Sequence, residues 1–479
     1  MPSEIREELA ESLEALREGL DIPSAFDADV EAEALAARDD VPVDPATAGI
    51  ADLREIEFLT VDPAGSTDLD QALHLTRTSS GAVLHYAIAD VPAYVAVGGA
   101  IDIEARRRGQ TLYAPDGRVP LHPHVLSEDA ASLLPGRDRR AYVWRFELDE
   151  HAVPTRTELT QAVIRSRRQW DYESAQRAVD EGSAPESLAA MPWFGRERAA
   201  RERERGGASL NLPETRVVVE DGGYRLERRE GVALEDANAQ ISLLTGMAAA
   251  ELMLQGGVGI LRTMPPAAAE DVAEFRSRTV ALGIPWREGV PYGEYLQSLD
   301  RSPAARAIKE YAGGLFRGAG YVAFDGEVPD ESIQAAIGAP YAHATAPLRR
   351  LVDRWVLVIC EAVANGGEIA PWVTESLPEL PRLMSRSAQR SSQLTAGILD
   401  RVEAAVLHGR EGEEFSAIVL GRRADGARVQ LTQPPVDAKI AGLQVAPGST
   451  VRLRLTRADV ADGAIEFTPV HSPSEGGTP

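Results

Sequence analysis

Cysteine and lysine are nearly absent from this chain. Cys360 is the one cysteine, which excludes an intrachain disulfide and a zinc site built on cysteines. Lys309 and Lys439 are the only lysines. Almost every positive charge is therefore a guanidinium group, which is planar and can bind a phosphate through two parallel hydrogen bonds.

Positive charge is also scarce overall. Arg and Lys number 50 against 74 Asp and Glu, which gives the 479 residues a formal net charge of -24. A basic surface over the whole protein is thereby excluded, so a nucleic acid would need a local basic channel. The length predicts about two to four domains.

Long apolar runs are missing as well. The most apolar stretch, 351–364, is short and contains Asp353 and Arg354, whereas a membrane-spanning helix needs about 18 or more apolar residues. The glutamate-rich N-terminus lacks the basic and then apolar pattern of a secretion signal. These absences predict a soluble, cytoplasmic protein without a membrane partner.

Hydrophobic spacing divides the chain into four parts. Residues 1–48 hold two predicted helices, at 3–20 and 28–37, and a proline-containing linker follows. Residues 49–408 carry strand patterns early (55–62, 82–91, 140–150) and helical patterns late (171–182, 234–254, 303–318), which indicates a mixed α/β, α+β body. Residues 412–470 alternate in short strands with Asp-Gly turns, which favours a small OB-fold β-barrel. The tail at 471–479 has a disordered composition.

The segment TVDPAGSTDLDQAL (60–73) gathers Asp62, Asp68 and Asp70 around a Pro-Ala-Gly-Ser bend, with Gln71 next. Crowded carboxylates raise one another's pKa, and a hard divalent cation such as Mg²⁺ removes that cost. The bend would return the chain so that Asp68 and Asp70 face Asp62. This pattern predicts a metal site suited to phosphoryl transfer. A solvated turn that only caps the backbone is the alternative.

A second candidate site lies in 341–366. We interpret it as a loop and a helix, with Thr345 as N-cap, Pro347 in the first turn and Asn365-Gly366 at the end. Arg349 and Arg350 would then lie at the positive end of the helix dipole, where a docked phosphate would be favourable. Alternatively, both arginines pair with carboxylates of this acidic chain.

These motifs, in this order, resemble the catalytic domain of the ribonuclease II family, called RNB. The resemblance rests on TVDPAGSTDLDQAL, YAIADV, TLYAPDGRVPLHP, LSEDAASLLPG and YAHATAPLRRLVDRW and covers roughly 49–405. It implies a 3′→5′ exoribonuclease that uses Mg²⁺, or Mn²⁺, in a two-metal mechanism and hydrolyses single-stranded RNA to nucleoside 5′-monophosphates.

The resemblance also implies roles for individual residues. Asp62, Asp68 and Asp70 match three of four metal-holding aspartates, and Arg349 matches the arginine that contacts the scissile phosphate. Tyr113 matches a tyrosine near the RNA 3′ end. Tyr172 matches an aromatic that clamps the terminal base, and Gln71 stands at the position of the fourth aspartate, in the metal site. Beside Arg349, we also expect Arg350 and Thr345 to contact RNA.

The chain departs from the family pattern at several positions. Gln71 replaces the fourth aspartate and Gln240 a usual glutamate, while Asn211 and Leu212 stand where a second clamp aromatic is expected. The cold-shock domains that usually precede the catalytic body have no counterpart here, so we expect a short form. Arg428, Arg452, Arg454 and Arg457 predict RNA binding by the barrel, whose alternative role is packing on the body.

Two other functions stay open at this point. The first is an RNA-binding protein of the same fold in which Gln71 has weakened or abolished catalysis. The second is a metal phosphodiesterase acting on DNA or small nucleotides.

Some expectations concern single residues or short segments. We expect the charge run 196–205 to be a solvated helix face and Asp90 to be either a strand-end cap or a partner of the site. We expect His343 to make a structural hydrogen bond, and His122 and His124 to be exposed in a loop. Trp170 and Trp355 are expected in the core.

Overall fold

The computed structural model describes residues 3–208, 214–220, 223–229, 231–300, 302–315, 317–423 and 425–470. The predicted N-terminal helices are present. The first three helices are α1 (Ser3–Gly19), α2 (Ala28–Asp40) and α3 (Pro45–Ala48), and α3 lies in the stretch that we expected to be only a linker. None of the helices in these ranges combines the length and apolar character needed to span a bilayer.

A six-stranded sheet forms the centre of the body, in the order β1-β8-β2-β3-β4-β7. Its strands are β1 (Ala51–Asp52), β2 (Phe58–Asp62), β3 (Gln71–Thr78), β4 (Gly81–Ala89), β7 (Asp138–Asp149) and β8 (Pro154–Asp171). β2 runs parallel to β8 and antiparallel to β3, so the bend after Asp62 does return the chain along β2. β8 also pairs with β7, so that β8, β2, β3, β4 and β7 form a closed ring of paired strands, and β1 pairs with β8 as well.

Helices and smaller strand pairs surround this sheet. The helices are α4 (Ala100–Arg108), α5 (Tyr172–Asp180), α6 (Glu186–Glu204), α7 (Ala233–Gly256), α8 (Ala269–Ala281), α9 (Tyr292–Gln297), α10 (Pro303–Gly313), α11 (Leu351–Asn365), α12 (Pro371–Ser376) and α13 (Leu380–Leu407). The strand pairs are β5 (Leu112–Ala114) with β6 (Gly117–Val119), β9 (Glu214–Glu220) with β10 (Gly223–Arg229), β11 (Val258–Thr263) with β12 (Gly320–Asp325), and β13 (Ile333–Gln334) with β14 (Ala339–Pro340). The largest core cluster joins the sheet to α7 and α11 and includes the fully buried Trp144 and Trp355.

The C-terminal part is the predicted small barrel. Its strands, in the order β17-β16-β15-β18-β19, are β15 (Glu414–Arg423), β16 (Gly426–Leu431), β17 (Asp437–Ala441), β18 (Thr450–Asp459) and β19 (Ala464–Pro469). The edge strands β17 and β19 contact each other, so the antiparallel sheet is nearly closed. Leu9 and Leu13 of α1, Leu394 and Ile398 of α13 and the barrel interior share one apolar cluster. The barrel therefore packs on the body through α1 and α13.

The charge run at 196–205 differs from its expectation. It does lie in a helix, at the end of α6, but Arg198 and Glu202 are buried. Arg198 Nη1 donates to the Ala152 carbonyl at 3.1 Å, and Glu202 accepts from Gln240 Nε2 at 2.6 Å. The solvated-face prediction is wrong for these two residues, because this end of α6 packs against α7. The tail 471–479 and the expected clamp position at Asn211 and Leu212 lie outside the described residues.

Candidate active site

Asp62 is the last residue of β2 and faces the bend that leads to β3. Gly65, with φ of +82°, supplies the left-handed backbone conformation of this bend. In the described part of the chain, the buried Oδ2 atom of Asp62 has no hydrogen-bond partner. Burial raises the pKa of Asp62 to about 7; the Arg349 guanidinium opposes this rise and the Asp68 carboxylate adds to it. Asp62 thus has a buried carboxylate oxygen that no described residue satisfies with a hydrogen bond.

Asp70 is buried and joins the acidic bend to the segment 345–350. Its Oδ1 accepts a 2.8 Å hydrogen bond from the backbone N–H of Leu348, and its Oδ2 lies 3.2 Å from Arg349 Nε. Burial raises the pKa of Asp70 to about 7 against the lowering effect of Arg349. The two motifs that the sequence separates by more than 270 residues therefore meet at one carboxylate.

Gln71, the first residue of β3, makes a second link between the same segments. Its side-chain Nε2 donates to the carbonyl oxygen of Thr345 at 2.5 Å. A carboxylate at this position would have no proton to donate to that carbonyl. The glutamine that stands in place of the fourth aspartate thus makes a hydrogen bond that an aspartate could not make.

The start of α11 differs from its prediction. The helix begins at Leu351, with the extended Arg350 as N-cap residue, and Thr345, Pro347 and Arg349 precede it. A proline disfavours helical backbone in the residue before it, and the side chain of Asp353 accepts from the Ala346 N–H at 2.7 Å. The expectation of Thr345 as N-cap was therefore wrong. Asp353, in the first turn, supplies the negative charge that the helix dipole favours there.

Arg349 and Arg350 have different surroundings. Arg350 is paired with Asp353 through Nη2–Oδ1 at 2.9 Å and Nε–Oδ2 at 3.0 Å, and its Nη2 lies 3.4 Å from Thr345 Oγ1. Arg349 pairs with Asp70 but keeps 43% of its side chain exposed. Both arginines are paired with carboxylates, which was the alternative left open above, yet Arg349 retains a solvent-facing part.

Asp68 is held by the hairpin β5–β6. Tyr113 donates its hydroxyl proton to Asp68 Oδ2 at 2.9 Å, and Arg118 Nη1 lies 2.5 Å from Asp68 Oδ1. Arg118 also pairs with Glu128 at 2.8 Å. Arg118 was not among the predicted site residues. The Pro115-Asp116 turn, followed by Gly117, was the available signal, because a hairpin centred on residues 115 and 116 places residues 113 and 118 opposite each other.

Tyr172 is the first residue of α5 and is close enough to Asp62 to interact with its charge. Its hydroxyl oxygen accepts a 3.3 Å hydrogen bond from Asn238 Nδ2. Burial, with the Asp62 carboxylate as the next cause, raises the pKa of Tyr172 to about 12. Tyr113, in contrast, is half-exposed. The structure thus brings Asp62, Asp68 and Asp70 together with one tyrosine on the hairpin and another on α5.

The remaining candidate residues have structural partners. Asp90 is buried, accepts from the Ala93 N–H at 3.2 Å and pairs with Arg140 at 3.0 Å, as expected of a strand-end cap. His343 Nδ1 lies 2.7 Å from the Tyr321 hydroxyl, and burial lowers its pKa well below the usual value. His124 is exposed, but His122 is buried, so the exposed-loop expectation was wrong for His122. Trp170 and Trp355 are buried.

The side chains around Asp62 can be tested against a divalent cation. Among the described residues, no three Asp, Glu, His or Cys side chains are already arranged around a common metal position. Asp68 and Asp70 instead pair with Arg118 and Arg349. The donor chemistry nevertheless fits Mg²⁺ or Mn²⁺, since the donors are carboxylate oxygens and the buried Asp62 Oδ2 has no hydrogen-bond partner among the described residues.

Comparisons with known proteins agree with this layout. The RNB domain matches residues 50–366, and the RNase II-type exonuclease C-terminal S1 domain matches 413–470. Ribonuclease R of Escherichia coli is 25% identical over 449 residues, which cover 88% of this chain and 54% of that protein. The chain thus spans about half the length of that curated relative.

Two solved structures share the fold. Mycoplasma genitalium RNase R, in complex with ribose-methylated single-stranded RNA, has a TM-score of 0.86 at 18% identity and covers 97% of this chain and 78% of that one. Yeast Ssd1, described as a pseudonuclease, has a TM-score of 0.67 at 18% identity and covers 85% and 52%. At these identities the likeness concerns the fold alone.

Proposed function

This chain belongs to the RNB domain family, and we propose that it is a hydrolytic 3′→5′ exoribonuclease. Its substrate would be single-stranded RNA and its product nucleoside 5′-monophosphates. The observation that carries the proposal is the double contact of Asp70, which accepts from the Leu348 N–H and pairs with Arg349. That contact brings the acidic bend and the exposed guanidinium of Arg349 to the same place.

Each side chain of the site has a task in this proposal. Asp62, Asp68 and Asp70 would hold divalent cations, which polarise a phosphate and activate water when bound. Arg349 would stabilise the negative charge that develops on the scissile phosphate. Tyr113 and Tyr172 would stack on bases near the 3′ end, which contributes about 1–3 kcal/mol per base without sequence preference. Arg350 would act through its ion pair with Asp353, by positioning the backbone that carries Arg349.

The same proposal assigns a role to each part of the chain. The catalytic unit would occupy 49–408, the barrel at 412–470 would be an accessory RNA-binding unit, and 1–48 would brace both. α1 supports the last assignment, because its Ser12 hydroxyl donates to the carbonyls of Val460 and Ala461 in the barrel. Arg17 of α1 also pairs with Asp116 in the turn of the hairpin that carries Tyr113.

A second candidate function is RNA binding without catalysis. Two observations favour it: the Gln71 amide is engaged by the Thr345 carbonyl and brings no charge, and both Asp68 and Asp70 are occupied by guanidinium groups. In that case the fold would serve as an RNA-binding surface.

The test is a digestion of a 5′-labelled oligoribonucleotide with Mg²⁺. Progressive shortening of the labelled strand supports the exoribonuclease, whereas a mobility shift without shortening supports the binding protein. The matched 2′-deoxy oligonucleotide, run in parallel, tests the remaining alternative, a metal phosphodiesterase acting on DNA or small nucleotides, because RNA-specific sites sense the 2′-hydroxyl. Equal shortening of the deoxy strand would favour a phosphodiesterase that also accepts DNA.

A further inference from the structure

We propose that arginines on the first half of α13 bind phosphates of the RNA on the 5′ side of the scissile bond. Arg382, Arg386 and Arg390 recur every four residues there and therefore share one face of the helix; we call them the α13 ridge. The inference rests on the proposed function, since it assigns a further binding surface for the same substrate.

The charge of the ridge is not neutralised by the acidic side chains around it. Arg382 and Arg386 are exposed, and within the described ranges neither forms an ion pair with a carboxylate. The guanidinium of Arg386 lies 3.5 Å from the carbonyl oxygen of Arg106. In a chain of net charge -24, exposed guanidinium groups without carboxylate partners attract a polyanion.

Arg390 anchors the ridge to α4. Its Nη2 donates to the carbonyls of Arg107 and Arg108 at 2.6 and 3.0 Å. These bonds supply donors to carbonyl groups at the C-terminal end of α4, which have no partners within the helix. Burial lowers the pKa of Arg390, and Arg386 and Arg107 add to this effect because like charges repel. The carboxylates near this face contact arginines of α4: Glu104 lies 3.7 Å from Arg107, Glu379 lies 3.7 Å from Arg106, and Asp21, whose side chain is 90% exposed, lies 3.9 Å from Arg107.

The ridge is continuous with the candidate active site. Ser387 packs on Gly109 so closely that a Cβ on Gly109, whose φ is +77°, would lie 2.6 Å from the Cβ of Ser387. The Gly109 carbonyl accepts from the Leu351 N–H at 3.0 Å, and the Thr111 N–H donates to the Arg349 carbonyl at 3.0 Å. A strand that leaves Arg349 across residues 109–111 would thus meet the ridge.

The barrel arginines offer less free charge than the sequence suggested. Arg452 and Arg454 both pair with Glu414, at 2.6 and 2.9 Å. Arg457 lies 3.0 Å from Asp459, and Arg428 lies 2.6 Å from Asp437. Arg382 and Arg386 of α13, which pair with no carboxylate of the described residues, are therefore the stronger candidates for phosphate contacts outside the site.

The experiment compares RNA binding by the full chain carrying Asp70→Asn with the same chain that also carries Arg382→Glu and Arg386→Glu. Fluorescence anisotropy would measure the Kd for single-stranded oligoribonucleotides of about 4 and about 16 nucleotides over a range of salt concentrations. We expect the Kd of the long strand to rise at least about fivefold at low salt and that of the short strand to stay unchanged. The slope of log K against log salt should flatten by about 1.4, since each lost phosphate contact accounts for about 0.7.

The control is Arg196→Glu with Arg287→Glu, two exposed arginines on α6 and in the loop before α9, which make the same change in net charge. This control should bind both strands as the parent does. An unchanged Kd for the long strand in the ridge variant would overturn the inference. Equal weakening for both strands, or equal weakening by the control, would overturn it as well. Hydrolysis of the short strand by the otherwise wild-type ridge variant tests the proposed function separately, because the ridge is not needed for it.

Discussion

The backbone N–H of Leu348 donates a 2.8 Å hydrogen bond to Oδ1 of Asp70, across 278 residues of sequence. The other oxygen of the same carboxylate lies 3.2 Å from Arg349 Nε. One buried carboxylate therefore fixes the position of the guanidinium that we assign to the scissile phosphate.

Asp70→Asn should leave RNA affinity intact or increase it. Asparagine retains an oxygen for the Leu348 N–H, and the substitution removes a negative charge that would repel RNA phosphates when no cation is bound. Anisotropy with a labelled oligoribonucleotide in the absence of divalent cations measures this. A Kd raised tenfold or more, in a variant that unfolds at the wild-type temperature, would mean that Asp70 holds RNA rather than a cation.

Arg118→Met should increase the affinity of the metal-free protein for Mn²⁺ severalfold. The Arg118 guanidinium lies 2.5 Å from Asp68 and competes there with a cation, whereas methionine fills similar space without charge. Titration of free Mn²⁺ by electron paramagnetic resonance gives the Kd. Arg139→Met is the matched control, because Arg139 pairs with Asp129 at 3.0 Å outside the site. Weaker Mn²⁺ binding by Arg118→Met alone would show that Arg118 supports the cation site instead.

Gln71→Asp should lower the stability of the metal-free protein and increase the stabilisation by Mg²⁺. The variant loses the hydrogen bond to the Thr345 carbonyl, which costs about 1–3 kcal/mol when a buried acceptor loses its donor. It also adds a charge that a cation can neutralise. Melting temperatures with and without Mg²⁺ measure both effects. Gln71→Asn, which shortens the side chain without adding charge, should lose stability without gaining a Mg²⁺ response. The same response in both variants would argue against a cation beside residue 71.

Glu403→Gln should stabilise the protein increasingly as the pH rises from about 5 to about 8. Glu403 on α13 is buried and accepts from the Asp437 N–H at 3.0 Å, and burial raises its pKa to about 8. A raised carboxyl pKa means that the folded protein binds a proton that the unfolded chain has released, so stability falls as the pH rises from about 4.5 to about 8.

Glutamine resembles the protonated acid and avoids this loss. The gain in the free energy of unfolding should be small near pH 5 and reach about 2 kcal/mol or more near pH 8, as measured by denaturant titration. The exposed Glu411→Gln is the control. A gain that is equal at both pH values would contradict the buried, protonated state of Glu403.

Part of this architecture was predictable because short-range signals carry it. The strands that contain Phe58, Tyr86 and Trp144 stand out as apolar runs, since both faces of the central sheet are covered. β8 was not predicted, because its buried residues, among them Leu159, Val163 and Trp170, do not alternate regularly and are separated by Arg, Thr and Gln residues. A strand with such irregular burial is not recognisable from the local sequence pattern alone.

The motifs of the candidate site were predictable, but the contact between them was not. The acidic bend and the pair Arg349-Arg350 are visible as motifs, but their contact depends on the packing of α11 against the sheet, which no local pattern encodes. The helix start was misplaced because Pro347 suits a first turn as well as the extended stretch before α11. Arg118 was missed because its partner, Asp68, lies 50 residues away.

The most direct test of the central claim is the rate at which the wild-type protein and Asp70→Asn release nucleoside 5′-monophosphates from single-stranded RNA with Mg²⁺. Asp138→Asn, which removes a carboxylate paired with Arg54 and Arg165 outside the site, is the control. The proposal predicts release by the wild type and by Asp138→Asn, and a loss of about a hundredfold or more in Asp70→Asn. Equal release by all three proteins, or no release by the wild type while it binds the RNA, would contradict it.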